Sequence, residues 1–531
     1  MDPQPDILTR RDWLASSALL GVGIAGSPWF SGDAVSEEGR KAAVIDIGNR
    51  RELFVEDGLI ERLAGNAALR LHHPTPREIA LVHDKPWEGS GSGYHTVFQD
   101  GDRYRLYYRG LHMKVAKGKL STGRHKPFSC YAESKDGIHW TRPELGIVAF
   151  EGSKKNNIIL QGPGTHNFTP FKDENPDCPA SQRYKALGGI RSEGGLFAFK
   201  SADGVHWSLM SDKPVITNGA FDSQNLAFWD PTFKQYRAYW RYFTKGVTTK
   251  KVWKPGGVRA IRTGASRDFL HWADDADLKY VDSPSEQLYT NQVKPYYRAP
   301  HILIGFPTRY VDRGWTASTR ALPDPKNRKL RASANKRYGT AITEGLLMAG
   351  RDGVTFKRWN EAFLRPGIGR RGTWQYGQQY IAWHVVETKS SLPGAPNELS
   401  LYATEDYWHG KGGKLRRYTL RLDGFVSVNA PMKGGELVTK PLTFEGDTLS
   451  LNVATSAAGS VRVEIQHPDG KPLPGFALKD CPANFGDAIE LKLVWNGNPD
   501  LGKLAGKPVR LRFVLNDADL YAFRFDSQRR P

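Results

Sequence analysis

The sequence predicts an all-β protein, a five-bladed β-propeller followed by a C-terminal β-sandwich, and three observations lead to this fold. A short turn pattern recurs five times, strand-like segments precede each copy, and the C-terminal part alternates apolar and polar residues without the repeat. Gly (55) and Pro (33) are frequent, as expected where many short strands are joined by turns. No amphipathic helix of about 12 residues stands out between the repeats, which argues against folds that alternate strands with helices.

The repeated turn contains a small residue, an Asp two positions later and an aromatic residue near its end. Its copies are residues 134–140, 201–207, 266–272 and 350–356, with a weaker copy at 404–408. Asp favours such a turn because it accepts backbone N–H bonds, and Gly supplies the positive φ. The aromatic residue then covers apolar surface of the sheet. We therefore interpret the five Asp residues as structural.

The segments before the turns are rich in aromatic and β-branched residues and are typical of a strand, a turn and a second strand. They are residues 94–108, 168–187, 225–240, 292–306 and 374–383. Each segment and its turn hairpin would form one four-stranded blade, and radial repetition of blades protects the sheet edges. Short alternating runs between about 417 and 525 favour a β-sandwich. We predict a propeller at 45–415 and a sandwich at 416–528.

The N-terminus is typical of a twin-arginine export signal. Residues 9–14 read Thr-Arg-Arg-Asp-Trp-Leu, and an apolar, small-residue run continues to Gly26. We predict a signal peptide at 1–36 and a periplasmic or extracellular location. No later stretch has the roughly 18 apolar residues of a membrane span. The three Cys residues leave open either one disulfide, Cys130 with Cys178, or free thiols.

The chain carries a net charge of +19, with Lys and Arg along its whole length. Because the sequence has no recognition-helix motif and no basic tail, it does not predict nucleic-acid binding. A sulfated or uronate-bearing polysaccharide would use the same positive field, and a solvated basic surface is the alternative. The sequence has no phosphate-binding loop, dinucleotide fingerprint or paired metal-ligand spacing, so no cofactor and no metal are predicted. A cation in the propeller channel remains open.

The five-fold repeat with Ser-x-Asp-x-x-His-Trp turns resembles the glycoside hydrolase propellers of the invertase and arabinanase type. The resemblance is greatest to uncharacterised glycosyl hydrolase-like proteins of planctomycete-type bacteria, and it rests on residues 53–57, 84–89, 183–186, 288–290, 351–353, 365–367 and 421–425. It implies a propeller that binds carbohydrate and hydrolyses glycosidic bonds. The Asn-Asp-Pro-Asn and Arg-Asp-Pro steps of invertase-like enzymes are missing here, so that family's three acids cannot be placed by motif.

Glycoside hydrolysis usually needs two carboxyl groups that flank the scissile bond. The resemblance places such groups at the starts of the innermost strands, around a central funnel, and this position selects Asp222, Glu286 and Glu88 as catalytic candidates. We assign Asp222 and Glu88 as base or charge stabiliser. Glu286 would be the general acid, with a pKa raised by aromatic neighbours. Asp100, Asp173 and Asp230 lie in or near turns between strands and are set aside.

The same positions suggest residues that bind substrate. Arg241 and Arg309 could hold a carboxylate or sulfate, and Trp374 could stack on a sugar ring. The substrate-binding candidates are His95, Asn167, Asn225, Arg241, Tyr289, Arg309 and Trp374.

Three functions remain open. The first is a glycoside hydrolase acting on a complex, anionic glycan, the second a non-catalytic glycan-binding propeller, and the third a polysaccharide lyase with a Tyr, His or Lys base. Convergence of Glu88, Asp222 and Glu286 on one funnel, with carboxyls about 5–10 Å apart, would favour hydrolysis. A funnel with one acid would favour binding, and an Arg pair facing a Tyr–His pair would favour elimination.

Overall fold

The computed structural model describes residues 44–123, 125–410 and 412–527. The predicted signal peptide at 1–36 lies outside these residues. Strands make up 47% of the structure and helices 7%, which confirms the predicted all-β class. Among the described residues, no helix has the length and apolar character needed to cross a membrane.

Five antiparallel sheets follow one another along the chain, and in each of them the strands lie side by side in the order in which they occur in the sequence, except where the N-terminal strand joins the fifth. The strands are Gly93–Asp100, Arg103–Gly110, Phe128–Ser134 and Ile158–Gln161 in the first sheet; Thr169–Lys172, Tyr184–Gly188, Phe197–Ser201 and Ser208–Leu209 in the second; Leu226–Asp230, Gln235–Thr248, Trp253–Ser266 and Ala273–Asp277 in the third; Lys294–Tyr296, Ala299–Gly305, Met348–Gly350 and Thr355–Arg358 in the fourth; and Val386–Thr388, Glu398–Glu405, Lys414–Arg421 and Thr75–Val82 in the fifth. Strand Lys279–Val281 adds a parallel edge to the fourth sheet.

The fifth sheet is completed by a strand from the other end of the chain. Strand Thr75–Val82 pairs antiparallel with Lys414–Arg421, with Val82 opposite Lys414. Residues 75–421 therefore begin and end in the same sheet, and an outer edge that would otherwise be exposed is paired.

The sheets contact one another in a closed order through the repeated turns. The Tyr107 hydroxyl of the first sheet donates to the Gly204 carbonyl in the turn of the second (2.9 Å), and the Tyr239 hydroxyl of the third donates to Gly353 of the fourth (2.8 Å). The Tyr402 hydroxyl of the fifth sheet donates to Gly137 of the first. Phe171 and Phe269 pack between the second and third sheets, and Ile304 and Leu401 share a core between the fourth and fifth.

Segments at or just before the first strands of four sheets meet in one buried place. The Gln292 amide donates to the Gln224 side chain (2.8 Å) and to the Ile381 carbonyl (2.9 Å). Gln224 in turn donates to the His95 carbonyl (3.1 Å), which also accepts the amide hydrogen of Trp383 (2.8 Å). Four of the five sheets therefore contribute to one buried polar centre.

The Asp residues of the repeated turns are structural, as predicted. Asp203 Oδ1 accepts the backbone amides of Val205 and His206, both at 2.8 Å, and its Oδ2 contacts the His206 ring at 2.7 Å. Asp136 and Asp268 make the same set of bonds in their turns. Gly204 has φ +78°, and a Cβ there would approach the Tyr107 hydroxyl to 2.8 Å, so this contact between sheets requires Gly.

Acid is expected to weaken these turns. Desolvation alone would raise the pKa of Asp203, but hydrogen bonds from His206 and two backbone amides lower it well below its usual range. Because the folded pKa lies below the unfolded value of about 3.9, the stabilisation is present above about pH 4 and lost as the pH falls. The Asp203→Asn variant should therefore lose less unfolding free energy than the wild type between about pH 5 and pH 3, measured by urea denaturation. An equal loss would contradict this, and Asp102→Asn, with a 91% exposed side chain, is the control.

The remaining strands form a C-terminal sheet with its own core. Its strands are Glu52–Leu53, Ile60–Gly65, Ala68–Leu71, Val426–Ala430, Gly435–Thr439, Thr448–Gln466, Asp487–Lys492 and Arg510–Asp526, and Ile45–Asp46 pairs with Leu442–Thr443 beside it. Residues 45–71 thus belong with the C-terminal part and not with the predicted propeller at 45–415. Strand Lys414–Arg421 belongs to the fifth sheet, so the predicted boundary at 415/416 falls inside a strand.

Short elements extend from the sheets at two places. The hairpin Lys114–Ala116 and Lys119–Ser121 follows the second strand of the first sheet. Helices α1 (Ala317–Ala321), α2 (Pro325–Ala334) and α3 (Lys336–Thr340) lie between the paired strands Thr308–Asp312 and Ala341–Gly345. Short 3-10 helices occur at Ala180–Gln182, Arg191–Glu193, Leu478–Asp480 and Gly502–Leu504. Cys130, Cys178 and Cys481 are free thiols, the second of the two alternatives considered.

Candidate active site

Asp222 lies in the loop that precedes the first strand of the third sheet, and two buried amides hold this loop. The Asn167 side chain donates to the carbonyls of Phe221 and Ser223, each at 2.7 Å. Asn225 donates to the same two carbonyls at 3.1 and 2.9 Å. Both Asn residues were predicted to bind substrate, but their amides are used to fix the residues on either side of Asp222.

The Asp222 carboxylate is exposed and surrounded by positive and polar groups. Its side chain is 58% exposed, with Oδ1 3.2 Å from His166 Nε2 and Oδ2 3.9 Å from the Arg241 guanidinium. Desolvation raises its pKa, but the hydrogen bond from His166 and the charges of Arg241, His166 and Arg109 outweigh it and lower the pKa to about 2. Asp222 is therefore an anion throughout the physiological pH range.

Tyrosines of the first sheet, of the segments before the fourth and fifth sheets and of strand Thr308–Asp312 form a cluster near this carboxylate. The tyrosine cluster consists of Tyr94, Tyr289, Tyr310, Tyr376 and Tyr380, with Tyr338 and Trp408 packed against it. Burial raises the pKa of Tyr94, Tyr289, Tyr376 and Tyr380, so their hydroxyls stay protonated. Among the described residues, the Tyr380 hydroxyl and Trp408 Nε1 are buried without a hydrogen-bond partner, and such groups are available to a ligand. We call Asp222, His166, Arg109, Arg241 and the tyrosine cluster the central site.

Four residues in the segments that build this site have a left-handed backbone conformation. Tyr94, Gln292, Gln379 and Trp408 have φ values of +53°, +49°, +59° and +56°, in the left-handed region that disfavours side chains with a Cβ. Such conformations persist where the surrounding structure holds them, and they occur preferentially at functional sites.

Arginines stack on the aromatic walls of the central site. Each of five guanidinium groups lies 4.5–5.3 Å from a ring centroid. The pairs are Arg109 on Tyr94, Arg241 on Tyr289, Arg259 on Tyr310, Arg331 on Trp408 and Arg337 on Tyr338. Burial lowers the pKa of Arg331 to about 10, which still leaves it charged at neutral pH. Two of these cations, Arg109 and Arg241, act on Asp222, and the other three lie against the aromatic walls, so arginines outnumber carboxylates at the site.

His166 connects Asp222 to Arg109. Its Nε2 contacts Asp222, and its backbone carbonyl accepts a hydrogen bond from Arg109 at 3.3 Å. Burial lowers the His166 pKa, although Asp222 and the charge of Glu193 act in the opposite direction. Glu193 Oε2 accepts the backbone amides of Gly164 (3.2 Å) and Ile190 (3.1 Å). His166 is therefore a neutral imidazole at neutral pH, within the field of two carboxylates.

Two of the three predicted catalytic carboxylates have structural partners elsewhere. Glu88 is 1% exposed and accepts hydrogen bonds from the Tyr108 hydroxyl (2.6 Å) and from Arg142 (2.8 Å), behind the first sheet. Glu286 forms ion pairs with Arg309 (3.2 Å) and Arg358 (2.9 Å). Because both carboxylates are neutralised by arginines outside the central site, the three predicted acids do not converge.

Some of the other predicted substrate-binding residues lie in the central site, and the rest have structural partners outside it. Arg241 and Tyr289 are in the central site, whereas Arg309 is paired with Glu344 at 2.7 Å. His95 is buried against His83 (Nε2 to Nε2, 2.9 Å), and desolvation lowers its pKa to about 3. Trp374 Nε1 donates to the Gly367 carbonyl at 2.7 Å, and Trp374 lies outside the tyrosine cluster.

The sequence analysis overlooked several residues of the central site, namely Tyr94, Arg109, Tyr310, Tyr380 and Trp408. Tyr94 lies at the start of a first strand and Tyr380 precedes one, close to the position that selected Asp222, so attention to aromatic residues there would have found them. Among the described residues, no group of three His, Cys, Asp or Glu side chains is arranged to hold a metal ion.

Neither a family model nor a curated protein sequence matches this chain. Similar solved structures include an N-acetylgalactosamine deacetylase from F. plautii in complex with blood group B trisaccharide, with 13% identity over 68% of this chain and 96% of that chain and a TM-score of 0.41. A thermostable family-43 glycoside hydrolase has 13% identity over 66% and 96%, with a TM-score of 0.39. A fructofuranosidase from Schwanniomyces occidentalis has 10% identity over 86% and 96%, with a TM-score of 0.35. Most of these names agree with the expected class of enzyme, but similarities this low assign no activity to this chain.

Proposed function

We propose that the five sheets are the blades of a five-bladed β-propeller formed by residues 75–421, with a β-sandwich formed by residues 45–71 and 426–526. The closed order of contacts between sheets and the meeting of their first strands at one centre support this arrangement. We also propose that residues 1–36 direct export through the twin-arginine route, on the sequence evidence at 9–14.

We propose that the protein binds an anionic glycan in the central site and cleaves its glycosidic bonds. The observation that carries this proposal is the set of five arginines at the central site, two of them near Asp222 and three on its aromatic walls. Guanidinium groups recognise carboxylates and sulfates by charge-assisted hydrogen bonds, and aromatic faces stack on sugar rings. A neutral glycan would leave this excess of positive charge uncompensated.

Hydrolysis at this site would use Asp222 as the nucleophile, base or charge stabiliser. Since its pKa is about 2, it carries no proton to donate at neutral pH. A second carboxylate would have to protonate the leaving oxygen. Glu193 is our candidate for this role, because its charge acts on the His166 imidazole. In addition, both hydrogen bonds that Glu193 accepts from backbone amides are made to Oε2.

Elimination is the second candidate reaction, and a specific arrangement favours it. Arg109 and Arg241 could neutralise the carboxylate of a uronate, which makes the adjacent C–H more acidic. The neutral His166 imidazole could accept that proton, and a tyrosine hydroxyl could protonate the leaving oxygen. This pair of arginines facing histidine and tyrosine is the arrangement expected of a lyase.

A panel of sulfated, uronate-containing and neutral polysaccharides, incubated with the protein in water labelled with heavy oxygen, tests the proposal. We expect cleavage of an anionic polymer and none of its neutral counterpart. Hydrolysis would place the label at the new reducing end, whereas elimination would give an unsaturated, ultraviolet-absorbing uronate without label. Binding without any product would indicate a non-catalytic glycan-binding protein.

The role of the arginines is tested by Arg241→Gln. Loss of a charged hydrogen bond to the glycan should weaken binding about 10- to 100-fold. The control is Arg262→Gln, which removes a guanidinium paired with Asp277 at 2.6 Å on the outer part of the third sheet. Equal binding by Arg241→Gln and the wild type would remove this arginine from the site.

A further inference from the structure

Lys and Arg occur along the whole chain, but the net positive charge of the protein is concentrated in three segments. Residues 111–127, 244–259 and 313–339 contain eighteen Lys and Arg residues and one acidic residue, Asp324. They therefore carry seventeen of the nineteen net positive charges. The rest of the chain is almost neutral.

All three segments start at residues that build the central site. Segment 111–127 begins two residues after Arg109, and segment 244–259 extends the strand of Arg241 and ends at Arg259, which stacks on Tyr310. In segment 313–339, Arg331 of α2 donates to the carbonyls of Tyr376 (2.8 Å) and Tyr407 (3.2 Å). Each segment therefore adjoins the central site or contributes a residue to its walls, and we call the three together the basic rim.

The lysines of the basic rim face solvent. All eleven of its lysines are exposed, and none forms an ion pair with a carboxylate of the described residues. The hairpin Lys114–Ser121 packs beside α2, since a Cβ at Gly118 would lie 3.4 Å from the Ser333 carbonyl. Trp253 is 40% exposed among the lysines of the second segment. Unpaired charges of one sign on neighbouring elements produce a field that attracts a long anion.

We propose that the basic rim binds the part of a polyanionic polysaccharide that extends beyond the central site, so that the protein prefers a polymer to a short oligosaccharide. This inference rests on the proposed glycan site and adds the length and charge of its ligand. Lysines supply adaptable point charges that suit irregularly spaced sulfate or carboxylate groups, and Trp253 supplies an aromatic face for a sugar ring. A polysaccharide fits both the rim and the tyrosine cluster, whereas a nucleic acid or an anionic membrane would fit the rim alone.

The test compares a rim variant with a control of equal charge change. The rim variant carries Lys114→Gln, Lys117→Gln and Lys119→Gln, and the control carries Lys471→Gln, Lys479→Gln and Lys503→Gln, exposed positions in the C-terminal part. Binding of dextran sulfate and of a four-sugar sulfated oligosaccharide is measured by calorimetry at low and high salt. We expect the rim variant to bind the polymer about tenfold more weakly at low salt, with a smaller salt dependence and unchanged oligosaccharide binding.

The possible outcomes test the basic-rim proposal and the proposed cleavage reaction separately. Equal polymer binding by the rim variant and the wild type, or an equal loss for polymer and oligosaccharide, would overturn the rim proposal. Stronger rim-dependent binding of duplex DNA or of anionic lipid vesicles than of dextran sulfate would also overturn it. Because this measurement needs no turnover, rim-dependent polymer binding without cleavage in the labelled-water assay would contradict only the proposed reaction.

Discussion

Replacement of Asp222 by asparagine is expected to reduce turnover at least about 100-fold, because a carboxylate that acts in proton transfer or charge stabilisation contributes a factor of this size or more. Asn has the same shape, and the Asp222 side chain is 58% exposed, so the loop held by Asn167 and Asn225 should stay in place. Rates of polysaccharide cleavage at saturating substrate, together with the unfolding free energy of both proteins, measure the effect.

The substitution Asp222→Asn is informative because it should change turnover and glycan binding in different ways. Removal of the negative charge should leave binding of the anionic glycan unchanged or tighter, because the five arginines remain. Turnover of Asp102→Asn, changed at an exposed turn of the first sheet, should equal that of the wild type. If Asp222→Asn turned over normally, or if Glu286→Gln lost as much activity, the assignment of Asp222 as the carboxylate of the central site would be wrong.

The repeats of the fold could be predicted because their causes are local. An Asp at a tight turn accepts nearby amides, and the alternation of aromatic residues marks strands, so the turns at Asp136, Asp203 and Asp268 were predictable. The pairing of Thr75–Val82 with Lys414–Arg421 joins residues more than three hundred positions apart. Periodicity along the chain carries no information about such a partner, which explains the misplaced domain boundaries.

The candidate site could be predicted only in part, because it too depends on partners that are distant in the sequence. Position before a first strand selected Asp222, Glu88 and Glu286 alike, and only one of them reaches the central site. Arg142 and Arg358, which neutralise the other two, are 54 and 72 residues away along the chain. The local sequence around a carboxylate does not reveal whether a distant arginine is its partner, and this partner decides whether the group is free for chemistry.

Replacement of Asp423 by asparagine is expected to reduce the unfolding free energy by about 3–5 kcal/mol, the usual cost of removing one partner from a buried ion pair. Asp423 is fully buried between the fifth sheet and the C-terminal sheet. Its carboxylate accepts hydrogen bonds from Tyr296 (2.8 Å) and Arg298 (2.9 Å) of the fourth sheet and from Asn452 (3.2 Å) of the C-terminal sheet, and it lies 3.4 Å from Arg51.

The asparagine variant isolates the charge at this junction. Asn tolerates the φ of +61° at residue 423 as Asp does, so backbone strain is unchanged. The loss comes chiefly from Arg298, which keeps a positive charge without a carboxylate, whereas Arg51 retains its ion pair with Glu490 at 2.9 Å. Asp487→Asn is the matched control, because Asp487 pairs with Arg421 but is 68% exposed, and exposed pairs contribute less than about 1 kcal/mol. Urea denaturation of both variants measures the difference. Equal losses would mean that solvent screens residue 423 as well, and that the buried contact between the fourth sheet and the C-terminal sheet does not depend on this carboxylate.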